Sequence, residues 1–160
     1  MLAALCYLVL TGIQVTNPAF DDELTTVVDY VNDGSFLAAM VLSVICLVGA
    51  RGRLRWPATP VILAGVGQSL VSLGVAAGLV TGTSPDWFAL VGLPGNLLAF
   101  VGYLWLGVWA WRHRAVPRWA AALLWFAIPV GVGVAEFGGS IVLALAWCGI
   151  GAQLLRRSAS

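Results

Sequence analysis

The segment FALVGLPGNLLAFVGYLWLGVWAWRHRAVPRW, residues 88–119, decides the fold of this chain. Its first part, Phe88–Trp111, is almost entirely apolar, and a basic cluster follows at 112–118. A helix rises about 1.5 Å per residue, so the apolar part is long enough for the ~30 Å hydrocarbon core of a bilayer. The segment therefore predicts one membrane crossing, a cytoplasmic turn and the start of a return crossing.

The composition of the whole chain points to the same solvent. Of the 160 residues, 61% are hydrophobic and only 9% are charged, whereas soluble domains carry roughly a quarter charged residues. The arginines gather at 51–55, 112–118 and 156–157, and most of the acids lie in 21–33. Lysine is absent from the sequence, which excludes Schiff-base chemistry on this chain. We therefore expect lipid to surround most of the protein.

Hydropathy along the chain predicts an all-α polytopic membrane protein, a single membrane-embedded bundle over residues 1–160. Between the first two crossings, Leu24, Val27, Val28 and Val31 recur at helical spacing behind an acidic start, which predicts a short amphipathic surface helix that ends near Gly34. The predicted surface helix covers about 21–33, and the six predicted transmembrane helices cover about 2–16, 36–50, 60–80, 88–111, 119–135 and 139–155.

The orientation follows from the arginines. With six crossings, all three arginine clusters fall on one side of the membrane and the acidic segment falls on the other. The positive-inside rule then predicts a bacterial inner (plasma) membrane protein with both termini in the cytoplasm. The lipid bilayer is the expected partner. Nucleic acid is not expected, because the arginines flank the membrane instead of forming one basic face.

Small residues at a spacing of four predict where helices pack closely, since lipid gives helices no hydrophobic drive to associate. The spacing leaves open whether each packing partner belongs to this chain or to another subunit. The glycines in such positions are Gly74, Gly78 and Gly82 on the third helix, Gly95 on the fourth and Gly131 on the fifth.

Polar side chains at mid-membrane are the candidates for binding. Gln68 and Asn96 fall near the middle of the third and fourth helices, with Ser72 one turn from Gln68. Amides in this position need partners, so they either join helices or bind a solute. Glu136 is the only acid in the last two helices. It is either hydrated at the outer surface or linked to a proton or cation.

The acidic segment is the remaining candidate site. Asp22, Asp29 and Asp33 share one side of the predicted surface helix, which is either a solvated face or a docking site for a cation or a partner. No compact set of metal ligands, dinucleotide fingerprint or phosphate-binding loop is present. The sequence therefore predicts no metal site, no cofactor and no catalytic residue.

One hairpin carries a resemblance. Residues 104–120, LWLGVWAWRHRAVPRWA, combine a W-x-G, an arginine-rich turn and a P-R-W-A return. This pattern resembles small uncharacterised multi-pass membrane proteins of high-GC bacteria. The resemblance covers only that hairpin, and it implies a bacterial source without adding any chemistry.

Three functions are compatible with these features. The sequence favours a non-enzymatic accessory or interaction subunit of a membrane complex, which binds another membrane protein or a second copy of itself. The alternative is a small-solute or ion transporter that uses Gln68, Asn96 and Glu136. An intramembrane enzyme ranks third, since no pair of nucleophile and base is evident in the sequence.

Overall fold

A computed structural model describes residues 2–16, 24, 26–133 and 139–158 as an all-α chain of six helices. The all-α class is as predicted, and six helices are present where six transmembrane helices and a separate surface helix are predicted. By length and composition, the second, third and fourth helices suffice to cross a membrane, whereas the other three are shorter apolar helices. The six are α1 (Leu2–Thr16), α2 (Val27–Leu54), α3 (Ala58–Thr81), α4 (Phe88–His113), α5 (Arg118–Gly133) and α6 (Ile141–Ser158).

The separate surface helix predicted at 21–33 is wrong where the structure describes that segment. Residues 27–33 form the first turns of α2, which continues unbroken to Leu54. Thr26 and Asp29 start this helix with a capping box, in which each backbone N–H donates to the other side chain (2.7 and 3.3 Å). Gly34 lies inside the helix, because one interior glycine costs only about 1 kcal/mol. Residues 21–23 and 25 lie outside the described residues.

The two basic turns have the same backbone design. α2 and α4 each end at an arginine in the left-handed conformation, Arg55 with φ 56° and Arg114 with φ 51°. In each turn the next residue donates its N–H to a carbonyl five residues earlier, Trp56 to Arg51 (3.0 Å) and Ala115 to Ala110 (3.1 Å). These bonds satisfy carbonyls at the helix ends. The first turn joins α2 to α3 and the second joins α4 to α5. Because successive helices run in opposite directions, both turns and their arginines lie at one end of the bundle.

The six helices form a closed ring. Each helix packs against the next one in the chain, and α1 packs against α6. Almost half of the buried hydrophobic residues are alanines, whereas leucine, valine and isoleucine dominate the outward faces. Small residues inside and large apolar residues outside are what helix packing in lipid favours.

The contact between α3 and α4 is the most extensive in the ring, and glycines make it possible. A Cβ added at Gly67 would overlap the backbone of Ala99 and Gly95, and one added at Gly102 would overlap the backbone of Ala64. The two helices therefore approach to backbone contact at two levels along their length.

We predict that Gly67→Ala lowers the free energy of unfolding by about 1–3 kcal/mol, because the backbone atoms it meets cannot move aside. Gly49→Ala on α2 is the matched control, since no atom lies within 4 Å of a Cβ there. We expect it to be neutral or to stabilise by up to about 1 kcal/mol. Thermal unfolding of both variants in one detergent measures the difference, and equal melting temperatures would contradict the prediction.

Candidate polar site at the centre of the bundle

Four polar side chains from four different helices meet at the centre of the ring. They are Tyr7 from α1, Ser43 from α2, Gln68 from α3 and Tyr103 from α4, and each is at most 1% exposed. Within the described residues, the backbone of α1 does not approach that of α3 or α4. These long side chains therefore bridge the middle of the ring. We call them the central polar site.

The hydrogen bonds within the central polar site are incomplete. The Ser43 hydroxyl donates to the Tyr7 hydroxyl over 3.3 Å. The Gln68 side chain lies against both tyrosine hydroxyls, yet among the described residues Gln68 Oε1 and the Tyr103 hydroxyl have no partner with hydrogen-bond geometry. Buried polar atoms in folded proteins are normally satisfied by protein, water or ligand. Two of these oxygens lie at one place, so we take the central polar site as the candidate functional site.

The chemistry of this site is that of neutral hydrogen-bonding groups. Two phenols, one hydroxyl and one carboxamide supply both donors and acceptors without a formal charge. Such groups pair with an uncharged polar molecule at little electrostatic cost, whereas a bare ion would need charged or multiply coordinating ligands. The donor set therefore suits a small uncharged solute or water.

A second polar cluster lies toward the opposite end of the bundle from the basic turns. Ser140, just before α6, donates to Gln14 Oε1 over 2.9 Å, and its hydroxyl lies 2.8 Å from that of Thr11. Gln14 and Ser140 are both buried. These bonds join α1 to the start of α6, where the ring closes. We call Thr11, Gln14 and Ser140 the outer polar cluster.

The two groups of polar residues share one face of α1. Tyr7, Thr11 and Gln14 are spaced at i, i+4 and i+7, which places them along one side of a helix. The Thr11 hydroxyl also donates to the Tyr7 carbonyl over 2.7 Å. A polar stripe therefore runs along α1 from the central polar site to the outer polar cluster.

The predicted mid-membrane residues separate in the structure. Gln68 belongs to the central polar site, and Ser72 is buried one turn away, with its hydroxyl donating to the Gln68 carbonyl over 2.7 Å. Asn96 is only partly buried, and no hydrogen bond within the described residues joins it to Gln68. α4 remains helical through Pro94. Glu136 lies outside the described residues.

The predicted packing glycines all lie near residues of this chain. A Cβ at Gly74 would overlap the ring of Phe88, and the remaining positions have more space. Gly78 lies near the Thr83 carbonyl, Gly82 caps α3 with φ 78°, Gly95 contacts Gly67 and Val71, and Gly131 lies near Leu143.

The predicted acidic site is only partly described. Asp29 caps α2 through Thr26, and Asp33 accepts from the Asn32 amide over 3.3 Å. Asp22 lies outside the described residues. Where the structure describes the chain, no three metal-ligating side chains come together.

Sequence reasoning missed most of the polar residues that the fold brings together. Tyr7, Thr11 and Gln14 carry a readable signal, since they are polar or amphipathic residues at helical spacing within an apolar helix. Ser43 and Tyr103 give no comparable signal. Their role depends on which faces of α2 and α4 turn inward.

Comparisons with protein-family models, with curated proteins and with solved structures find no match. By its structure, the described part of the chain is an all-α ring of six apolar helices, with three candidate membrane spans and a buried neutral polar centre.

We predict that Gln14 and Ser140 are energetically coupled. A double-mutant cycle with Gln14→Leu and Ser140→Ala should give a coupling free energy of about 0.6 kcal/mol, the usual value for a hydrogen bond between membrane helices. The control cycle pairs Gln14→Leu with Thr81→Ala, whose exposed hydroxyl bonds its own helix, and should give a value within about 0.3–0.5 kcal/mol of zero. Unfolding in mixed micelles measures both. Equal couplings would contradict the prediction.

Proposed function

We propose that this chain is a six-span inner-membrane protein that binds a small uncharged polar solute at the central polar site and carries it across the bilayer. The observation that supports the proposal is the meeting of four buried, neutral polar side chains, two of which have an oxygen without a partner in the described part of the chain. A buried polar atom without a partner costs free energy, so a bound solute that pairs with these oxygens would be favoured.

The exposed side chains of the three shorter helices support the proposal that these helices also cross the membrane. Large apolar side chains are exposed on α1, α5 and α6, as they are on α2. The Ser43–Tyr7 bond also brings the middle of α1 to the middle of the apolar part of α2. A helix of 15 residues spans only about 22 Å, so local thinning of the bilayer would accompany a crossing by α1. The large apolar residues exposed on α1 are Leu2, Leu5, Leu8, Val9 and Val15.

The proposed orientation rests on the arginines. Arg55 and Arg114 lie at the ends of α2 and α4, and Arg156 lies near the end of α6. In a bundle whose successive helices alternate in direction, these three ends share one side. The positive-inside rule makes that side cytoplasmic and places both termini there.

The polar stripe on α1 supports a route for the solute. From the outer polar cluster, hydrogen-bonding groups continue along one face of the helix to Tyr7. A solute that leaves water must exchange its hydrogen bonds for protein ones at every step, or it pays the cost of desolvation. In the central polar site, Gln68 Oε1 is the acceptor for the donors of the solute and the Tyr103 hydroxyl is available for its acceptors.

The role as an accessory or interaction subunit has less support. That prediction depended on glycine ridges offered to another protein, and the five glycines instead lie near residues of this chain. An ion-transporting role has less support as well, because the central polar site carries no formal charge.

A labelling experiment tests the six crossings. In a variant with Cys6, Cys46 and Cys148 replaced by alanine, single cysteines are placed at Leu2, Thr26, Ser84, Arg112 and Glu136. The proposal predicts that an impermeant maleimide labels positions 26, 84 and 136 on intact spheroplasts. It should label positions 2 and 112 only after lysis. Labelling of position 2 from outside, or of position 136 only after lysis, would contradict six crossings.

A second experiment tests the solute site. Proteoliposomes are assayed for the flux of glycerol and urea, two small uncharged probes, and we expect Tyr103→Phe and Gln68→Leu to slow the protein-dependent flux of at least one probe about five- to tenfold. This factor corresponds to one lost hydrogen bond of about 1–1.4 kcal/mol. Tyr103→Phe removes a hydroxyl that has no partner among the described residues, so it should leave the melting temperature unchanged.

The control for this experiment is Phe126→Leu, on the exposed face of α5, which should leave both flux and melting temperature unchanged. A loss of stability in Tyr103→Phe without a change in flux would show that the central polar site is structural. A flux equal to that of empty liposomes for both probes would contradict the proposed function.

A further inference from the structure

An open groove runs between the outward faces of α2 and α3, on the outside of the ring. Its volume is about 400 Å³. From Val61 to Leu73 it follows α3 for about 18 Å, close to the depth of one leaflet of the hydrocarbon core. It is lined by Val44, Val48 and Arg51 from α2, and by Val61, Ile62, Gly65, Val66, Ser69, Leu70 and Leu73 from α3.

The groove is deep because Gly65 has no side chain, and it is apolar because aliphatic side chains form most of its walls. A Cβ at Gly65 would find only Val44 Cγ1, at 4.0 Å, so a longer side chain there would project into open space. The one hydroxyl in the wall, that of Ser69, donates to the Gly65 carbonyl over 2.8 Å and needs no further partner. The walls therefore offer contact to hydrocarbon and little else.

A single cation stands at one end of this groove. Arg51 lies in the last turn of α2 and is exposed. In the part of the chain that the structure describes, no carboxylate forms an ion pair with it. The end of a membrane-crossing helix lies near the phosphate groups of the lipids, where a free guanidinium attracts an anion. The groove thus combines a hydrocarbon-lined length with an anion-binding end.

We infer that this groove is a binding site for one anionic phospholipid of the leaflet at the arginine end. One acyl chain lies along the groove between Val44, Gly65 and Leu73, and the phosphate pairs with the Arg51 guanidinium. The apolar walls match an acyl chain and the exposed Arg51 guanidinium matches an anionic headgroup, which together favour a phospholipid over an apolar helix. The inference needs the chain to be embedded in a membrane, but it is independent of the solute proposed for the central polar site.

The test compares lipid retention by the full-length protein. Protein is purified in mild detergent, equilibrated with phosphatidylglycerol or with phosphatidylcholine of identical chains, and examined by native mass spectrometry. We expect the wild type to retain one phosphatidylglycerol. Gly65→Leu, which fills the groove, should reduce that adduct about tenfold through lost apolar contact. Arg51→Gln should reduce the preference for phosphatidylglycerol over phosphatidylcholine about fivefold.

Two controls separate this site from the general lipid shell. Gly65→Ala and Gly49→Leu should retain phosphatidylglycerol as the wild type does, because the first leaves the groove open and the second lies outside it. Equal retention by Gly65→Leu and the wild type, or no preference for the anionic lipid in the wild type, would overturn the inference. If Gly65→Leu fails to fold, Arg51→Gln decides alone, since Arg51 is exposed.

Discussion

The close approach of α3 and α4 is the constraint on which the rest of this structure depends. Gly67 and Gly102 bring the two backbones into contact, and this contact fixes which faces of both helices turn inward. Tyr103 lies next to Gly102, and Gln68 lies next to Gly67. Once the glycines determine how the helices meet, the adjacent polar side chains are directed into the ring. Packing and polar chemistry therefore share one origin in the sequence.

This arrangement also explains why a ring of six helices needs large polar residues at its centre. Helices that pack mainly through alanine and glycine leave a gap where opposite helices face one another across the ring. Tyr7 and Tyr103 are the largest side chains buried there, and their rings supply the apolar volume that close packing requires. Their hydroxyls come with the rings, so filling the centre introduces polar atoms that need partners. Ser43 provides one of these partners, and Gln68 Oε1 and the Tyr103 hydroxyl are left without one among the described residues.

The sequence predicts the helix bounds, which depend on local composition. It does not predict which side chains face the centre of the ring, because that depends on how each helix is rotated about its axis. Five of the six helices begin and end within a few residues of their predicted bounds, because hydropathy and proline act locally. The prediction of a separate surface helix was wrong because its acidic amphipathic residues and the apolar residues after them form one unbroken helix. Gly34 alone does not end that helix. Gln68 was found because an amide within an apolar helix is conspicuous. Tyr103 was not, since a tyrosine is equally common at the membrane interface.

The two basic turns show how local strain and global orientation are linked in this chain. Glycine is the favoured residue at a left-handed helix end, yet Arg55 and Arg114 occupy those positions. A side chain in this conformation costs roughly 1–2 kcal/mol, and the hydrogen bonds that close each turn offset part of that cost. A glycine would remove the strain but would also remove a positive charge from each turn. Charge in these short loops is what determines the direction in which helices insert. In the proposed orientation, an arginine at each turn therefore lowers local stability slightly, but its positive charge defines the direction in which the helices insert.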